Sequence, residues 1–187
     1  MLSAGSEVEA GFAVWITGLP ASGKSTVTAV LAEELSVRGV KVAVLESDAL
    51  RRVFTPHPRY DEEEREVFYG SMVHVGRLLT EHGVSVIFDA TANRRAYRDR
   101  ARQQIPRFIE VYVDSSLAVC MARDPKGIYH KAREGAAATV PGIQTAYEPP
   151  ERPEVVVRGD QERPERAAQH VVDKLIERGY LKPRITL

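Results

Sequence analysis

Short apolar runs alternate with amphipathic stretches along most of this chain. The runs predict four strands, over 12–16, 40–45, 84–88 and 108–113, and the first of them reads as buried on both faces. Between the runs, apolar side chains recur at helical spacing and a glycine often follows the last of them. We predict helices over 24–38, 61–82, 95–104, 117–123 and 163–178, and a weaker fifth strand over 155–157.

Strands that alternate with helices pair in parallel through right-handed crossovers. The pattern therefore predicts an α/β fold, a three-layer α/β/α sandwich around a mostly parallel five-stranded sheet, in a single domain over residues 1–187. The alternation stops between Asp124 and Pro153, where the chain is polar and carries Gly and Pro. A break of this length in a compact domain is usually functional, so we predict a lid over about 124–150.

Composition narrows the class of partner. The 187 residues carry 26 Lys and Arg against 26 Asp and Glu, so the formal net charge is zero. Without a net positive field we expect neither nucleic acid nor a membrane as a partner, and any anion must be held by local donors. The single cysteine, Cys120, excludes an internal disulfide, and Glu7 and Glu9 stand where a signal peptide carries basic residues. We expect a cytoplasmic protein.

Residues 18–25 carry the strongest motif in the sequence. They read GLPASGKS and match the phosphate-loop pattern G-x-x-x-x-G-K-[ST] between the first strand and the first helix. Such glycines turn backbone N–H groups toward phosphate oxygens, and the helix N-terminus adds its dipole. Lys24 is predicted to reach the β- and γ-phosphates of ATP, and the Ser25 hydroxyl to hold Mg²⁺. The alternative is an ordinary glycine turn capped by a serine. The predicted nucleotide contacts are Gly18, Leu19, Pro20, Ala21, Ser22, Gly23, Lys24, Ser25 and Thr26.

Acidic residues follow the second and third strands, at the edge where open α/β sheets bind ligands. Asp48 is placed to accept the proton of an acceptor hydroxyl, and Arg51 to hold an anionic group on the same acceptor. Alternatively, Ser47 or Asp48 caps a helix that starts at Ala49. Asp89 is predicted to organise Mg²⁺ through water, or else to serve as a buried hydrogen-bond acceptor or a cap.

Two charged runs are predicted to lie mainly on the protein surface. Glu62–Glu64 is expected to form the acidic first turn of a solvated helix. A basic stretch lies on the helix predicted over 95–104, and we expect one or two of its members to face the phosphates. Its members are Arg94, Arg95, Arg98, Arg100 and Arg102.

The segment 123–150 resembles the lid of the adenylylsulfate kinases. It reads RDPKGIY at 123–129, KAR at 131–133, PGI at 141–143 and AYEPP at 146–150, and the likeness extends from Phe12 over nearly the whole chain. That family makes 3′-phosphoadenylylsulfate from ATP and adenylylsulfate. The resemblance implies a phosphate-loop kinase fold, ATP and Mg²⁺ as cofactors, adenylylsulfate or another anionic hydroxyl compound as acceptor, and a homodimer.

The resemblance also implies roles for individual residues. Asp48 matches the acceptor-side Asp of the family, and Arg51 matches its substrate Arg. An aromatic that stacks on the acceptor base, a retained arginine and a lid lysine are matched by Tyr60, Arg65 and Lys126. We also assign Arg123 to the ATP site, and Asp89 and Ile143 to the acceptor site.

The acceptor half departs from the resembled family. Where the family has D-G-D-N-V-R this chain has ESDALR at 46–51, and where it has Asn-x-Arg-Arg this chain has FYGS at 68–71. Val140 replaces a lid Phe and Asp89 a Ser. The lost arginines weaken charge-assisted binding of a dianionic group unless Arg52, Arg59 or the 94–98 group replaces them.

Three hypotheses follow. The leading one is a kinase that transfers the γ-phosphoryl group of ATP to the 3′-OH of adenylylsulfate. The second is a kinase of the same fold that acts on a different nucleotide conjugate or a phosphorylated sugar. The third is a regulatory module that binds ATP without phosphoryl transfer, which the pair of Asp48 and Arg51 disfavours because a sensor needs no acceptor-side base.

Overall fold

Five parallel strands form the sheet of the computed structural model, which describes residues 9–135, 137 and 139–184. Their order across the sheet is β2-β3-β1-β4-β5, and every neighbouring pair is parallel. The strands are β1 Ala13–Thr17, β2 Val42–Glu46, β3 Ser85–Asp89, β4 Phe108–Asp114 and β5 Val155–Arg158. The helices are α1 Lys24–Val37, α2 Ser47–Phe54, α3 Glu62–Glu81, α4 Arg95–Gln104, α5 Leu117–Arg123, α6 Ile128–Arg133 and α7 Pro164–Glu177.

Helices cover both faces of the sheet, and each face has its own core. Val14 and Ile16 of β1 pack with α1 and α7, whereas Trp15 packs with Phe88 beneath α3 and α4. Successive side chains of a strand point to opposite faces, so a strand covered on both sides must be apolar throughout. The prediction of a three-layer α/β/α sandwich is confirmed, with a sheet that is parallel throughout the described residues.

Two helices were not predicted from the pattern. Helix α2 begins at Ser47, directly after β2, and no side chain caps it at Glu46. The alternative in which Ser47 or Asp48 caps a helix that starts at Ala49 is therefore wrong, because both residues lie in the first turn. Helix α6 lies inside the segment 124–150, which accordingly contains regular structure as well as loops.

None of the helices in the described part of the chain is both long and apolar enough to cross a bilayer.

Candidate active site

A cavity of about 810 Å³ opens at the carboxyl edge of the sheet. The strand register explains its position, because Asp89 at the end of β3 pairs with Glu46 of β2 and with Ile16 of β1. Parallel strands bring their carboxyl ends to one edge, so the segments that follow β1, β2 and β3 face the same space. Most of the predicted nucleotide and acceptor residues meet in this cavity.

The loop between β1 and α1 has backbone angles that its glycines permit. Gly23 has a φ of 107° and directly precedes α1, and Gly18 has a φ of 154°. A Cβ atom on Gly18 would lie 2.6 Å from the carbonyl oxygen of Val113, so a side chain does not fit there. No described side chain caps α1, so the helix N-terminus can bind an anion, and the alternative of a serine-capped turn is wrong.

Two thirds of the predicted nucleotide contacts line the cavity, namely Pro20, Ala21, Gly23, Lys24, Ser25 and Thr26. The other three, Gly18, Leu19 and Ser22, form the turn behind it. The carbonyl oxygen of Leu19 accepts a hydrogen bond from Lys24 Nζ at 2.8 Å, and that of Ser22 accepts one from Ser115 Oγ at 3.0 Å. These bonds hold the loop in its curved shape.

Lys24 is a buried cation at the floor of the cavity. Burial lowers the pKa of Lys24 to about 8, although the negative charge of Asp89 acts in the opposite direction. The amine is thus poorly solvated and donates to a neutral carbonyl oxygen. A phosphate at this position would supply the negative charge that the environment of Lys24 lacks.

Asp89 and Ser25 provide two oxygen atoms at the phosphate loop that can act as ligands of a metal ion. Burial raises the pKa of Asp89, whereas the Ser25 hydroxyl and the charge of Lys24 favour its carboxylate form. Mg²⁺ prefers oxygen ligands and usually keeps waters and substrate phosphates in its coordination shell. The described residues contain no cluster of three His, Cys, Asp or Glu that could bind a metal by itself. Ser25 and Asp89 therefore fit a Mg²⁺ held mainly by the phosphates of ATP.

Asp48, in the first turn of α2, contacts the segment 124–150 directly. Lys126 Nζ lies 2.6 Å from Asp48 Oδ2 and 4.0 Å from Glu46 Oε1, and this pairing raises the pKa of Lys126. Both partners of the short contact are about half exposed. The predicted base and the predicted lid lysine thus meet over the acceptor edge of the cavity.

Arg51 is buried against α3 and lines the cavity. Its Nη1 donates to Glu64 Oε1 at 2.9 Å, and Glu64 also accepts the backbone N–H groups of Arg59 at 2.5 Å and Tyr60 at 3.4 Å. The expectation that the whole Glu62–Glu64 run is solvated is therefore wrong for Glu64. Glu64 thus accepts three hydrogen bonds and holds Arg51 and the backbone of Arg59 and Tyr60 in place.

Arg65 joins three separate segments. Its Nε donates to the carbonyl oxygen of Tyr60 at 2.9 Å, Nη1 to Asn93 Oδ1 at 3.0 Å and Nη2 to the carbonyl oxygen of Thr139 at 2.8 Å. All three acceptors are neutral, so the charge of Arg65 is not cancelled by a direct ion pair in the described residues. Burial lowers the pKa of Arg65.

Tyr60 presents its ring at the mouth of the cavity and is 40% exposed. Its backbone has a φ of 58°, a left-handed conformation that is uncommon for a tyrosine. The bonds from Tyr60 to Glu64 and Arg65 hold this conformation. The exposed ring is thus available to stack on a flat ligand, as predicted for an acceptor base.

The basic stretch on α4 supplies no cation to the cavity. Arg98, which is 1% exposed, donates to Glu110 at 2.6 Å, and Arg102 pairs with Glu110 and Glu154. The others also pair with glutamates: Arg94 with Glu62, Arg95 with Glu148 and Glu151, and Arg100 with Glu66. In the described structure none of the five lines the cavity, nor do Arg52 and Arg59. The expectation that one or two of them face the phosphates is wrong.

The segment 124–150 packs directly on the phosphate loop. The hydroxyl of Tyr129 in α6 donates to the carbonyl oxygen of Pro20 at 2.9 Å, and burial raises the pKa of Tyr129. Val140 belongs to a small core with Tyr129 and Leu19 and also lines the cavity. Ile143, which we assigned to the acceptor, is 42% exposed and is not part of the lining.

Sequence reasoning missed two parts of the lining. Lys131 of α6 faces the cavity from the segment 124–150. The second part lies beside Arg123, which we assigned to the ATP site and which lines the cavity, with its Nη1 donating to the carbonyl oxygen of Gly159 at 3.0 Å. Beside this pair the lining is formed by Val157, Glu162, Pro164 and Ala167. These residues carry no motif, and the signal that could have found them is the carboxyl end of the fifth strand, which lies at the same sheet edge.

A family model described as adenylylsulphate kinase matches residues 10–158. The chain belongs to the adenylylsulfate kinase family. An adenylyl-sulfate kinase of Microcystis aeruginosa is 38% identical over 177 residues, which cover 95% of this chain and 98% of that protein. Membership of the family confirms the resemblance drawn from the lid motifs.

Solved structures agree with this assignment. The structure of a Mycobacterium tuberculosis APS kinase in complex with AMPPNP and APS matches with a TM-score of 0.85 and 32% identity, covering 89% of this chain and 98% of that one. A hexameric APS kinase from Thiobacillus denitrificans matches with a TM-score of 0.70 and 25% identity, covering 97% of this chain and 32% of that one. The phosphate-loop kinase fold is thus confirmed.

Against the family pattern, the structure shows what occupies the altered positions. Phe68 lies under the guanidinium of Arg51, whose Cζ is 3.9 Å from the ring centroid. Gly70 lies beside α4, where an added Cβ would be 3.1 Å from Arg100 Nη1. The acceptor half of this family member is therefore built with an aromatic ring where the family pattern has an amide.

Proposed function

We propose that this protein is an ATP-dependent kinase that phosphorylates the 3′-OH of adenylylsulfate. The observation that carries the proposal is one cavity that joins a complete phosphate loop to Asp48, Arg51 and Arg65. Membership of the adenylylsulfate kinase family, and a matching APS kinase structure with AMPPNP and APS, support the same acceptor.

The nucleotide half would hold ATP by its phosphates. The loop at 18–25 offers backbone N–H groups and the N-terminus of α1, and Lys24 lies at the floor with its amine desolvated. The adenine would lie between Arg123 and the start of α7, both of which line the cavity. Bound Mg²⁺, for which Ser25 and Asp89 are the fitting side chains, neutralises charge on the β- and γ-phosphates.

The acceptor half would orient the attacking hydroxyl. Its oxygen forms the new bond to the γ-phosphorus, while the bond from that phosphorus to the oxygen bridging the β- and γ-phosphates breaks and ADP leaves with the electron pair. The hydroxyl proton passes to the Asp48 carboxylate, Arg51 and Arg65 hold the anionic end of the acceptor, and Tyr60 stacks on its base. Lys126 contacts Asp48 through Oδ2, so the other carboxylate oxygen, Oδ1, would receive this proton while that contact persists.

We also propose that the segment 124–150 acts as a lid within one domain over 1–187. It contacts the phosphate loop through Tyr129 and the acceptor edge through Lys126. A segment that touches both halves can exclude water from the reaction and thereby suppress hydrolysis of ATP.

The test is product formation from defined acceptors. Purified protein with ATP, Mg²⁺ and adenylylsulfate should give a product heavier by one phosphoryl group, detected by mass. Asp48→Asn should lower kcat about 10²- to 10⁴-fold with ATP affinity unchanged. Asp99→Asn, an exposed aspartate of α4, is the matched control and should retain full activity. Unchanged turnover in Asp48→Asn would remove Asp48 from its assigned role.

A second candidate is a kinase of the same family for a different nucleotide conjugate. The observation that favours it is the replacement of an amide and two arginines by Phe68, Gly70 and Ser71, none of which carries a charge. Turnover of another hydroxylated nucleotide, with no product from adenylylsulfate, would support this candidate over the first.

We propose a cytoplasmic homodimer as the working form. The hexameric APS kinase that matches this chain supports self-association in the family, and the buried, unpaired thiol of Cys120 suits a reducing compartment. Light scattering on the purified protein and fractionation of cells test the two statements separately.

A further inference from the structure

The guanidinium of Arg51 is enclosed by aromatic rings and one carboxylate. Its Cζ lies 3.9 Å from the ring centroid of Phe68 and 4.9 Å from that of Tyr60. Its Nη1 is 2.9 Å from Glu64 Oε1. Arg51 is only 6% exposed, so these contacts form in a largely desolvated environment.

Phe68 differs from the other aromatic rings around Arg51 because it does not line the cavity. The lining includes Arg51, Tyr60 and Tyr69 but not Phe68, which is 1% exposed and belongs to the core beneath α3. Its ring touches the edge of Tyr69, with centroids 5.2 Å apart. Phe68 can therefore affect a ligand only through its neighbours that line the cavity, and of these Arg51 carries the charge that binds an anion.

The two contacts restrain the guanidinium in complementary ways. A cation is attracted to the face of a ring, which holds the guanidinium plane over Phe68, and the bond to Glu64 sets its rotation within that plane. The ion pair uses Nη1 and leaves Nε and Nη2 without a hydrogen bond to any described residue. A guanidinium held in this way loses little conformational entropy when it binds an anion.

We propose that Phe68 is a positioning residue for the acceptor, which acts by holding Arg51 in the orientation that binds the anionic phosphosulfate group. The ring thereby performs, through Arg51, part of the task for which the family pattern has a side-chain amide at this position. The identity of the acceptor rests on the proposed function above.

The experiment compares Phe68→Leu with the wild type by calorimetric titration of adenylylsulfate in the presence of a non-hydrolysable ATP analogue. We expect the Kd for adenylylsulfate to rise about tenfold, since a desolvated cation–π contact is lost. The Kd for the ATP analogue should stay within twofold, because the phosphate loop is untouched. Phe68→Met, whose unbranched and flexible side chain adapts to an irregular space, is a second variant in case the leucine variant folds poorly.

Phe108→Leu is the matched control. Phe108 belongs to the same core as Phe68 and also lies under an arginine, Arg102, at 5.0 Å, but neither Phe108 nor Arg102 lines the cavity. This variant should lose thermal stability while its Kd for adenylylsulfate stays within twofold. An equal rise in both variants would mean that Phe68 acts through general stability, and the proposal would be overturned.

A double-mutant cycle with Arg51→Lys shows whether the effect of Phe68 on the Kd for adenylylsulfate passes through Arg51. If Phe68 acts through the planar guanidinium, Phe68→Leu should change the Kd less than twofold when Lys occupies position 51. A tenfold rise in both backgrounds would overturn the proposal.

Turnover is measured separately, so a wild type that binds adenylylsulfate without phosphorylating it refutes the proposed function while the cycle still tests Phe68. A wild type that does not bind adenylylsulfate refutes the positioning role as well.

Discussion

The two halves of the cavity are built on different principles. The nucleotide half uses a contiguous segment, Gly18–Thr26, whose backbone conformation and following helix create the anion site. The acceptor half assembles side chains from α2, α3 and the segment 124–150, which depend on partners such as Glu64 and Asn93. Backbone donors are fixed by the fold, whereas side-chain donors need a second layer of contacts to hold them. The acceptor half can therefore change its composition while the nucleotide half stays intact.

The largest expected effect is at the centre of the nucleotide half. Lys24→Met should lower kcat/KM about 10²- to 10³-fold, because a desolvated cation aimed at transition-state charge is lost. Because burial of the charged amine is costly, the variant should be at least as stable to heat as the wild type. Steady-state kinetics and thermal unfolding measure the two properties. Normal activity in Lys24→Met would show that the phosphate loop is not the catalytic centre.

Arg65→Lys tests how far the acceptor half depends on its second layer of contacts. A lysine cannot bond Tyr60, Asn93 and Thr139 at once, so the free energy of unfolding should fall by about 2–4 kcal/mol. The KM for the acceptor should rise while the KM for ATP changes little. Arg94→Lys, at an exposed ion pair with Glu62, is the matched control and should leave both quantities unchanged.

The pH dependence of ATP binding should follow Lys24. The pKa of its amine is about 8 without ligand, so the amine is charged below this value and loses its charge above it. Bound phosphate raises that pKa, and ATP affinity should therefore fall by up to about tenfold per pH unit above 8. In Lys24→Arg the side chain stays charged, and the fall should disappear. A wild-type affinity that is flat from pH 7 to 9.5 would contradict the pKa shift.

Lys131 should show the smallest effect. It lines the cavity from α6 but is exposed, so Lys131→Met should raise KM values only about two- to fivefold. Lys182→Met is the matched control, because Lys182 is exposed and lies outside the lining, and it should have no effect. A loss of more than 50-fold in Lys131→Met would place Lys131 in the catalytic machinery and make the acceptor half less dependent on Arg51.

Patterns of apolar residues predicted the sheet and most helices well, because a strand covered on both faces has to be apolar throughout. The same patterns missed α2, which starts directly after β2 and keeps only Arg51 fully buried, and α6, which is one short helix in a polar segment. Short helices held by tertiary contacts carry too few periodic positions to be detected.

The site residues also divide into those that a local motif predicts and those that depend on distant contacts. The phosphate loop was visible in the sequence because its function depends on local glycine spacing. The prediction that one or two arginines of the basic stretch face the phosphates was wrong. These arginines are paired with glutamates as distant in sequence as Glu148 and Glu154. No local pattern shows such pairing.

By itself the sequence determined the order of the strands and of five helices along the chain, the phosphate loop at 18–25 and the family. It did so because these depend on local periodicity and on motifs of adjacent residues. Only the tertiary structure decided which arginines serve the cavity, since Arg51 and Arg65 face it while Arg98 is buried against Glu110. It also decided that Phe68 lies under Arg51. These outcomes depend on contacts between segments far apart in the chain, which are fixed when α3 and α4 pack on the sheet.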